Sequence, residues 1–392
     1  MKRITLCLLA ALSLFVFTGC KTAKVEEKDY NAPLLPGEDA LVKITDPSQL
    51  PDFTRACSNL VSLREAVNNS LDYLAKPSSE TFFPMQGISH AKVREGLELM
   101  RDIIDSGNSP EVMSTKIRRS FDVYMSVGCD KRGTVLFTGY YTPIFNGSYE
   151  RSERFNYPLY SMPENLVKAP NGETLGYKSA TGDVVPYPER AAIESSGLLN
   201  GLEFIYLEDP FEVYIAHVQG SAKIRLPDGR LITVGYAATN GYDYKPIATS
   251  LSTEAGIPLD KMSLKAMIDY FAVHKSEVAK FVNRNPRFIF FHETSGNPAG
   301  SINEPVIAMR SIATDKTIFP RAALCYIDTS LPRAVGSGVV VYPYQGFMLD
   351  QDTGGAIRAA GRCDVYMGQG DLAGTVAGKT YEEGRLYYLI AK

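Results

Sequence analysis

Residues 346–370 read GFMLDQDTGGAIRAAGRCDVYMGQG and hold three Asp, two Arg and six Gly. Gly354 and Gly355 follow Asp352 closely, so the backbone there can turn tightly or approach a ligand. Asp364 opens a Val-Tyr-Met run and is followed by Gly368 and Gly370. Two carboxyl groups thus border one glycine-rich loop between strand-like stretches. A carboxyl in an apolar pocket, near a like charge, has its pKa raised and can donate a proton near neutral pH. That is the chemistry expected of Asp364 and Asp352. The plainer alternative is that both are turn and cap residues, common roles for Asp beside Gly.

Other constellations are weaker. Asp352-Thr353-Gly354 is the triplet of aspartic peptidases, with Asp105-Ser106-Gly107 as its only partner, but Asp105 ends a helix-periodic run. Cys363 has no nearby His in sequence to act as its base. His292-Glu293 lacks the second His of a zinc-peptidase helix. No Cys-x-x-Cys spacing suggests zinc, and no cofactor is expected.

The elements that must carry these residues are mostly β. Three helical patterns come first, over residues 60–74, 93–104 and 113–124. Strand-like runs follow at 134–142, 204–207, 212–218, 222–226 and 231–237, with Pro227-Asp228-Gly229 as a hairpin turn. Ser263 is a plausible cap for a helix that ends at Asn285-Pro286. Further strands are expected at 287–292, 306–310, 322–328, 339–342, 364–367 and 386–390, a barrel or sandwich pattern.

Composition bounds the rest. The 392 residues carry a formal charge of -3 and no Trp, which argues against a broad nucleic-acid-binding face. Residues 1–19 read as an export signal: Lys2 and Arg3, then an apolar run to Phe17. The run ends Phe17-Thr18-Gly19-Cys20, similar to a bacterial lipoprotein signal, and that resemblance implies cleavage before a lipidated Cys20. Residues 20–49, with Pro33, Pro36 and Gly37, read as a tether. Lys21 replaces the Asp linked to inner-membrane retention, so the periplasmic face of the outer membrane is the expected site. Cys57, Cys129, Cys325 and Cys363 leave several disulfide pairings open.

The chain also resembles the membrane-bound lytic murein transglycosylase A family. The resemblance rests on Gly139-Tyr140-Tyr141-Thr142-Pro143, on Tyr157 to Pro163, on Val218-Gln219-Gly220-Ser221, on Gly235-Tyr236-Ala237 and on Asn240-Gly241. Asp352 to Ile357 and Gly361 to Gly368 look like that family's C-terminal three-Asp domain. Three departures stand out: a slightly longer segment between the two Asp, Arg225 where an acidic residue is frequent, and Pro320-Arg321-Ala322-Ala323 where Pro-x-Gly-Thr is frequent. The resemblance implies a mainly β fold with several helices. A double-psi β-barrel would take 50–143 and 286–392, an inserted smaller β domain 144–285, with a groove between. It implies cleavage of the β-1,4 bond between N-acetylmuramic acid and N-acetylglucosamine, without water, leaving a 1,6-anhydro ring. Asp364 would be acid then base, with Asp352 in support. Thr142, Gln219, Gly220, Ser221, Tyr141, Tyr366, Gly354 and Gly355 would bind the glycan. Partners would be peptidoglycan, the membrane through Cys20, and cell-wall synthesis or division proteins. The rival classes are a lipid-anchored glycan binder without catalysis and, more remotely, an aspartic peptidase.

Overall fold

The computed structural model describes residues 28–392 except 171, 260, 261 and 337, so the signal and Cys20 lie outside the described residues. A short strand β1 (Leu41–Lys43) precedes helices α1 (Thr54–Cys57), α2 (Leu63–Leu74), α3 (His90–Asp105) and α4 (Pro110–Ser120). Ser89 caps α3 by accepting from the Lys92 amide at 3.2 Å, and Pro110 opens α4, where no amide donor is needed. Strands β2 (Phe121–Ser126) and β3 (Val135–Thr142) follow, then β4 (Ile144–Ser148) and β5 (Tyr157–Tyr160). A small sheet of β6 (Leu166–Lys168), β7 (Thr174–Lys178) and β8 (Val184–Val185) comes next. Then come α5 (Arg190–Ser196), β9 (Glu203–Leu207), α6 (Pro210–Gln219), β10 (Ser221–Arg225) and β11 (Leu231–Thr239). Helices α7 (Ala248–Ala255), α8 (Leu264–Val273) and α9 (Val278–Val282) lead to β12 (Ile289–Thr294). The last third is β13 (Ser311–Ala313), β14 (Leu324–Val335), β15 (Gly338–Asp352), β16 (Arg362–Gln369), α10 (Gly370–Ala377) and β17 (Tyr381–Ala391).

The fold is mainly β with several helices, as expected. In the first sheet β17, β14, β15, β13, β16 and β3 are successive neighbours, and β3 pairs back onto β17, closing a six-stranded barrel. Two of its pairs are parallel, β13 with β15 and β16 with β3. Parallel neighbours need long crossovers, and here the 219 positions between β3 and β16 contain the whole second β unit. That unit is a six-stranded sheet in the order β12, β11, β10, β4, β9, β5, whose two ends meet at the Ser161–Phe291 bridge. Helix α10 lies so close on β3 that a Cβ at Gly139 would come within 2.8 Å of the Ala377 backbone.

Five sequence expectations need correction. The helix expected to reach residue 124 ends at Ser120; Phe121 and Val123 alternate with more exposed neighbours and pair with β17 as strand β2. The strand expected at 212–218 is α6, opened by the Asp209 cap and Pro210; its buried Phe211, Tyr214 and Ile215 recur at helical spacing. Residues 306–310 form turns, not a strand. The expected boundary at 286 falls too early, because β12 pairs with β11 in the second sheet, and Leu41–Lys43 of the expected tether is a barrel-sheet strand on β2. Ser263 does cap α8, and Pro227-Asp228-Gly229 does join an antiparallel hairpin.

Inside the barrel, Lys316 and Asp350 form an ion pair that is almost completely buried. Asp350 also accepts from Thr314 Oγ1 at 2.8 Å and Tyr388 OH at 2.7 Å. Ala322, two residues before β14, has φ 60°, in the left-handed region. An L side chain there costs about 1–2 kcal/mol. Ala322→Gly loses about 0.4–1 kcal/mol of that gain to unfolded-chain entropy. It is therefore expected to raise stability slightly, read as a higher denaturation midpoint at unchanged slope.

Candidate active site

Strands β3 and β16 run side by side in parallel, pairing Thr138 with Asp364 and Tyr140 with Tyr366. Side chains alternate along a strand, so Thr138, Tyr140 and Thr142 share one face of β3, and Asp364 and Tyr366 the matching face of β16. Cys363, Val365 and Met367 point the other way, into the core. Ala313 on β13 pairs with both Asp352 of β15 and Asp364 of β16. The two Asp are therefore second neighbours across one strand, with Cα atoms about 9–10 Å apart.

Asp364 is held on one side. Its Oδ1 accepts from Thr138 Oγ1 and from Arg362 Nη2 at 3.4 Å. Its Oδ2 has no protein hydrogen bond among the described residues, so one carboxyl oxygen is left for a ligand. Asp352 is enclosed differently. Its Oδ1 accepts from the backbone amides of Thr353 at 2.8 Å and Ser301 at 2.9 Å. Burial of the carboxyl outweighs those bonds and raises its pKa above the ordinary value. The Tyr140 phenol oxygen is buried and directed toward Asp352 without a full hydrogen bond, and burial and the two Asp charges push its pKa well up. The Tyr140 and Tyr366 rings tilt against each other at 5.1 Å.

The expected binding residues divide into groups. Thr142 Oγ1 and Tyr366 OH are 2.8 Å apart, so Thr142 fixes that ring. Tyr366 lines a cavity of about 310 Å³ with Gly368, Gln369, Asn297, Ile307 and Glu65. Gln369 donates to Asn297 at 3.1 Å across it. Tyr366 lines this cavity and Asp364 does not. Gln219 reaches the same strand, accepting from the Tyr141 amide at 3.4 Å; Gly220 ends α6 at φ 74° and Ser221 starts β10. Gly354 and Gly355 form the turn after Asp352. Gly355 faces the second unit, where a Cβ would sit 3.2 Å from Tyr244 and 3.5 Å from Arg287. Arg358 and Asp243 pair at 3.1 Å beside this point. Tyr141 is the exception. It is 8% exposed and its ring packs on Gly374 of α10, on the face of β3 away from Asp364.

Thr138, Arg362, Tyr140 and Ser301 complete the site. Period-two alternation from Thr142 back to Thr138, and from Asp364 back to Arg362, was the available signal for Tyr140, Thr138 and Arg362. Ser301 had none. Glu212 on α6 is a second perturbed carboxyl, pushed up to about 7 by burial and by Asp209 and Glu208.

The rival nucleophiles and dyads fare poorly. Asp105 ends α3 in a two-pronged pair with Arg64, at 2.7 and 3.0 Å, and that pair holds its carboxyl below the usual range. Cys363 is a buried free thiol whose pKa burial pushes well up, so it is a poor nucleophile. Cys57, Cys129 and Cys325 are free as well.

A carboxyl-centred site on a closed barrel, with an inserted β unit beside it, defines a two-part, mainly β protein whose site is built for acid–base chemistry. Residues 136–292 match the family model described as the MltA specific insert domain, and residues 310–390 the 3D domain. Membrane-bound lytic murein transglycosylase A of Vibrio cholerae is 30% identical over 265 residues, 67% of each chain. The protein of that name from Escherichia coli is 28% identical over 355 residues, 88% of this chain and 87% of that one. The crystal structure of a membrane-bound lytic murein transglycosylase from Agrobacterium tumefaciens superposes with a TM-score of 0.74 at 25% identity, covering 90% of this chain and 98% of the other. Escherichia coli MltA with bound chitohexaose shares the fold, with a TM-score of 0.67 at 22% identity over 94% of this chain and 97% of that one. The chain belongs to the membrane-bound lytic murein transglycosylase A family.

The raised pKa of Asp352 has a sign. The folded state keeps the proton at pH values where the unfolded chain has lost it. Stability from this group is therefore present at low pH and lost as pH rises through the folded pKa. Asp352→Asn keeps an acceptor oxygen and removes the charge. Its melting temperature is expected to exceed that of the parent at pH 7, with the difference shrinking toward pH 4.

Proposed function

We propose that this chain is a lytic transglycosylase of peptidoglycan that cuts the β-1,4 bond between N-acetylmuramic acid and N-acetylglucosamine without water. The observation that carries the reading is the Asp364 carboxyl, pinned through Oδ1 by Thr138 and Arg362 and open at Oδ2. Protonated at Oδ2, Asp364 gives its proton to the glycosidic oxygen as the C1–O bond breaks. The resulting carboxylate then takes the proton of the muramic C6 hydroxyl, and O6 closes on C1 to form the 1,6-anhydro ring. The proton returns to Asp364, no water is consumed, and one carboxyl serves as acid and then base. Arg362 and Thr138 steady the carboxylate between the two steps.

Asp352 supports the site as a neighbouring carboxyl of raised pKa, with the Tyr140 phenol directed toward it. Tyr366, held by Thr142, and the amides of Gln369 and Asn297 give the groove one wall; Gln219 to Ser221 and the Gly354-Gly355 turn give others. A cavity of about 310 Å³ beside Tyr366 is at the small end of ligand pockets, which run about 300–1,000 Å³. We further read Cys20 as acylated and the chain as held at the periplasmic face of the outer membrane. No described helix is long and apolar enough to cross a membrane.

Digestion of purified sacculi, followed by mass spectrometry, tests the reaction. Anhydro-muramic ends are expected from the parent chain. Asp364→Asn is expected to lower their release by about 10²–10⁴-fold with the fold retained, since removal of a positioned acid–base group costs that much. Ends heavier by one water would mean hydrolysis, and sacculi bound but uncut by the parent chain would mean a binding protein.

A further inference from the structure

Strands β14 and β15 pair without a break from Leu324–Leu349 to Val335–Gly338. The rest of the barrel sheet covers only their roots. β17 meets β14 at Cys325 to Asp328, and β13 meets β15 from Leu349 onward. The outer part is a two-stranded arm. On β14, Thr329, Leu331 and Pro332 are still buried, so the free part of the arm is Arg333 to Val335, about 10 Å, with Gly338 to Pro343 of β15 beside it. Between Asp328 and Asp350 the only charged residue is Arg333. Val335, Val340, Val341 and Tyr342 are 47%, 44%, 44% and 40% exposed, so consecutive residues on both faces are open.

An isolated two-stranded ribbon is marginal in water, and an exposed one with a single charge invites a cover. Two features bear on what that cover is. Pro332 and Pro343 lie on the arm and cannot donate to a ladder, which makes its edges poor templates for another strand. The faces, not the edges, are what the arm offers. The second feature is where the N-terminal segment docks. Lys28 Nζ and Tyr30 OH both reach Glu383 Oε1 at 2.6 Å. The Glu383 carbonyl accepts from Thr329 Oγ1 at 3.0 Å, at the root of the arm. From Cys20 to Lys28 the chain can span at most about 28 Å. An acylated Cys20 is therefore tethered within about 28 Å of Lys28, which docks at that root.

We infer that the β14–β15 arm is a second membrane contact, seating Val335, Val340, Val341 and Tyr342 in the interface of the bilayer that holds Cys20. The inference rests on the reading of Cys20 as acylated. Arg333 stands over the Tyr342 ring at 5.1 Å, and an aromatic ring beside a long cationic side chain suits the headgroup layer. Arg55 donates to the Pro343 carbonyl at 2.9 Å and braces the arm against α1, so it projects as part of the body. Two attachments fix the tilt of the barrel over the membrane. Asp352 is ten residues along β15 from Tyr342, about 33 Å of strand from the bilayer surface.

The chain has no Trp, so Val341→Trp is the sole indole reporter. The full lipoprotein carrying it is reconstituted in phosphatidylethanolamine–phosphatidylglycerol vesicles with brominated acyl chains. Val61→Trp, at a position 77% exposed on the α2 side, serves as control. Emission of Val341→Trp is expected to shift to shorter wavelength and fall about twofold or more, with the control unchanged, as an interfacial aromatic should. Both variants are expected to release muropeptides at the parent rate. No quenching at 341 with Cys20 shown acylated by mass spectrometry overturns the arm contact and leaves the anchor standing. An unacylated Cys20 overturns both. A wavelength shift that grows with protein-to-lipid ratio, without bromine quenching, identifies a second copy as the cover and also overturns it.

Discussion

The parallel pairing of β3 with β16 is the contact on which the rest depends. It brings β3 into the barrel, and the same ladder sets Thr138 against Asp364 and Tyr140 against Tyr366. Joining β3 to the barrel and assembling the site are one event. Because the two strands are parallel, their connection must be a long crossover, and the second β unit lies within it. The chain thereby returns with the inserted unit beside the Asp352 turn, where Arg358 meets Asp243 and Gly355 meets Tyr244 and Arg287.

Beneath the site the barrel is held by a polar core. A Lys–Asp pair removed from water gains little net stability by itself, because desolvation of both ions is expensive. Asp350 compensates by accepting from Thr314 and Tyr388 as well, and Tyr388 stacks on Phe319 at 5.2 Å. Breaking one partner would leave a buried charge, so the network specifies one arrangement of β13, β15 and β17. Asp352 lies two residues further along β15 and inherits that rigidity. Its burial raises its pKa, while Asp364 takes its geometry from β3 and Arg362.

Much of this was legible in the sequence, for identifiable reasons. The glycine-bordered Asp352 and Asp364 stood out by composition, and strong helical periodicity marked α2 and α3. The errors share a cause: short apolar runs read alike as helix or strand until their neighbours are known. Phe211 to Val218 is apolar enough for a strand, and only the Asp209-Pro210 opening marks it as a helix. Tyr141 was expected at the groove beside Tyr140, yet alternation sends one ring to α10 and the other to Asp352. Which face is which depends on pairing with β16, more than 200 residues away. The arm was nearly invisible, since Val-Val-Val-Tyr reads as a buried strand wherever it occurs.

The discontinuity of the barrel also governs when the site can exist during synthesis. Thr138 emerges early, but its partner Asp364 is 226 positions later and β17, which seals the barrel, is last in the chain. A chain stopped anywhere before β16 holds half the ladder and no Asp364. On the role proposed for Asp364, such incomplete chains lack the reacting carboxyl. The threading of the strands acts as a safety catch, released only when the last residues arrive.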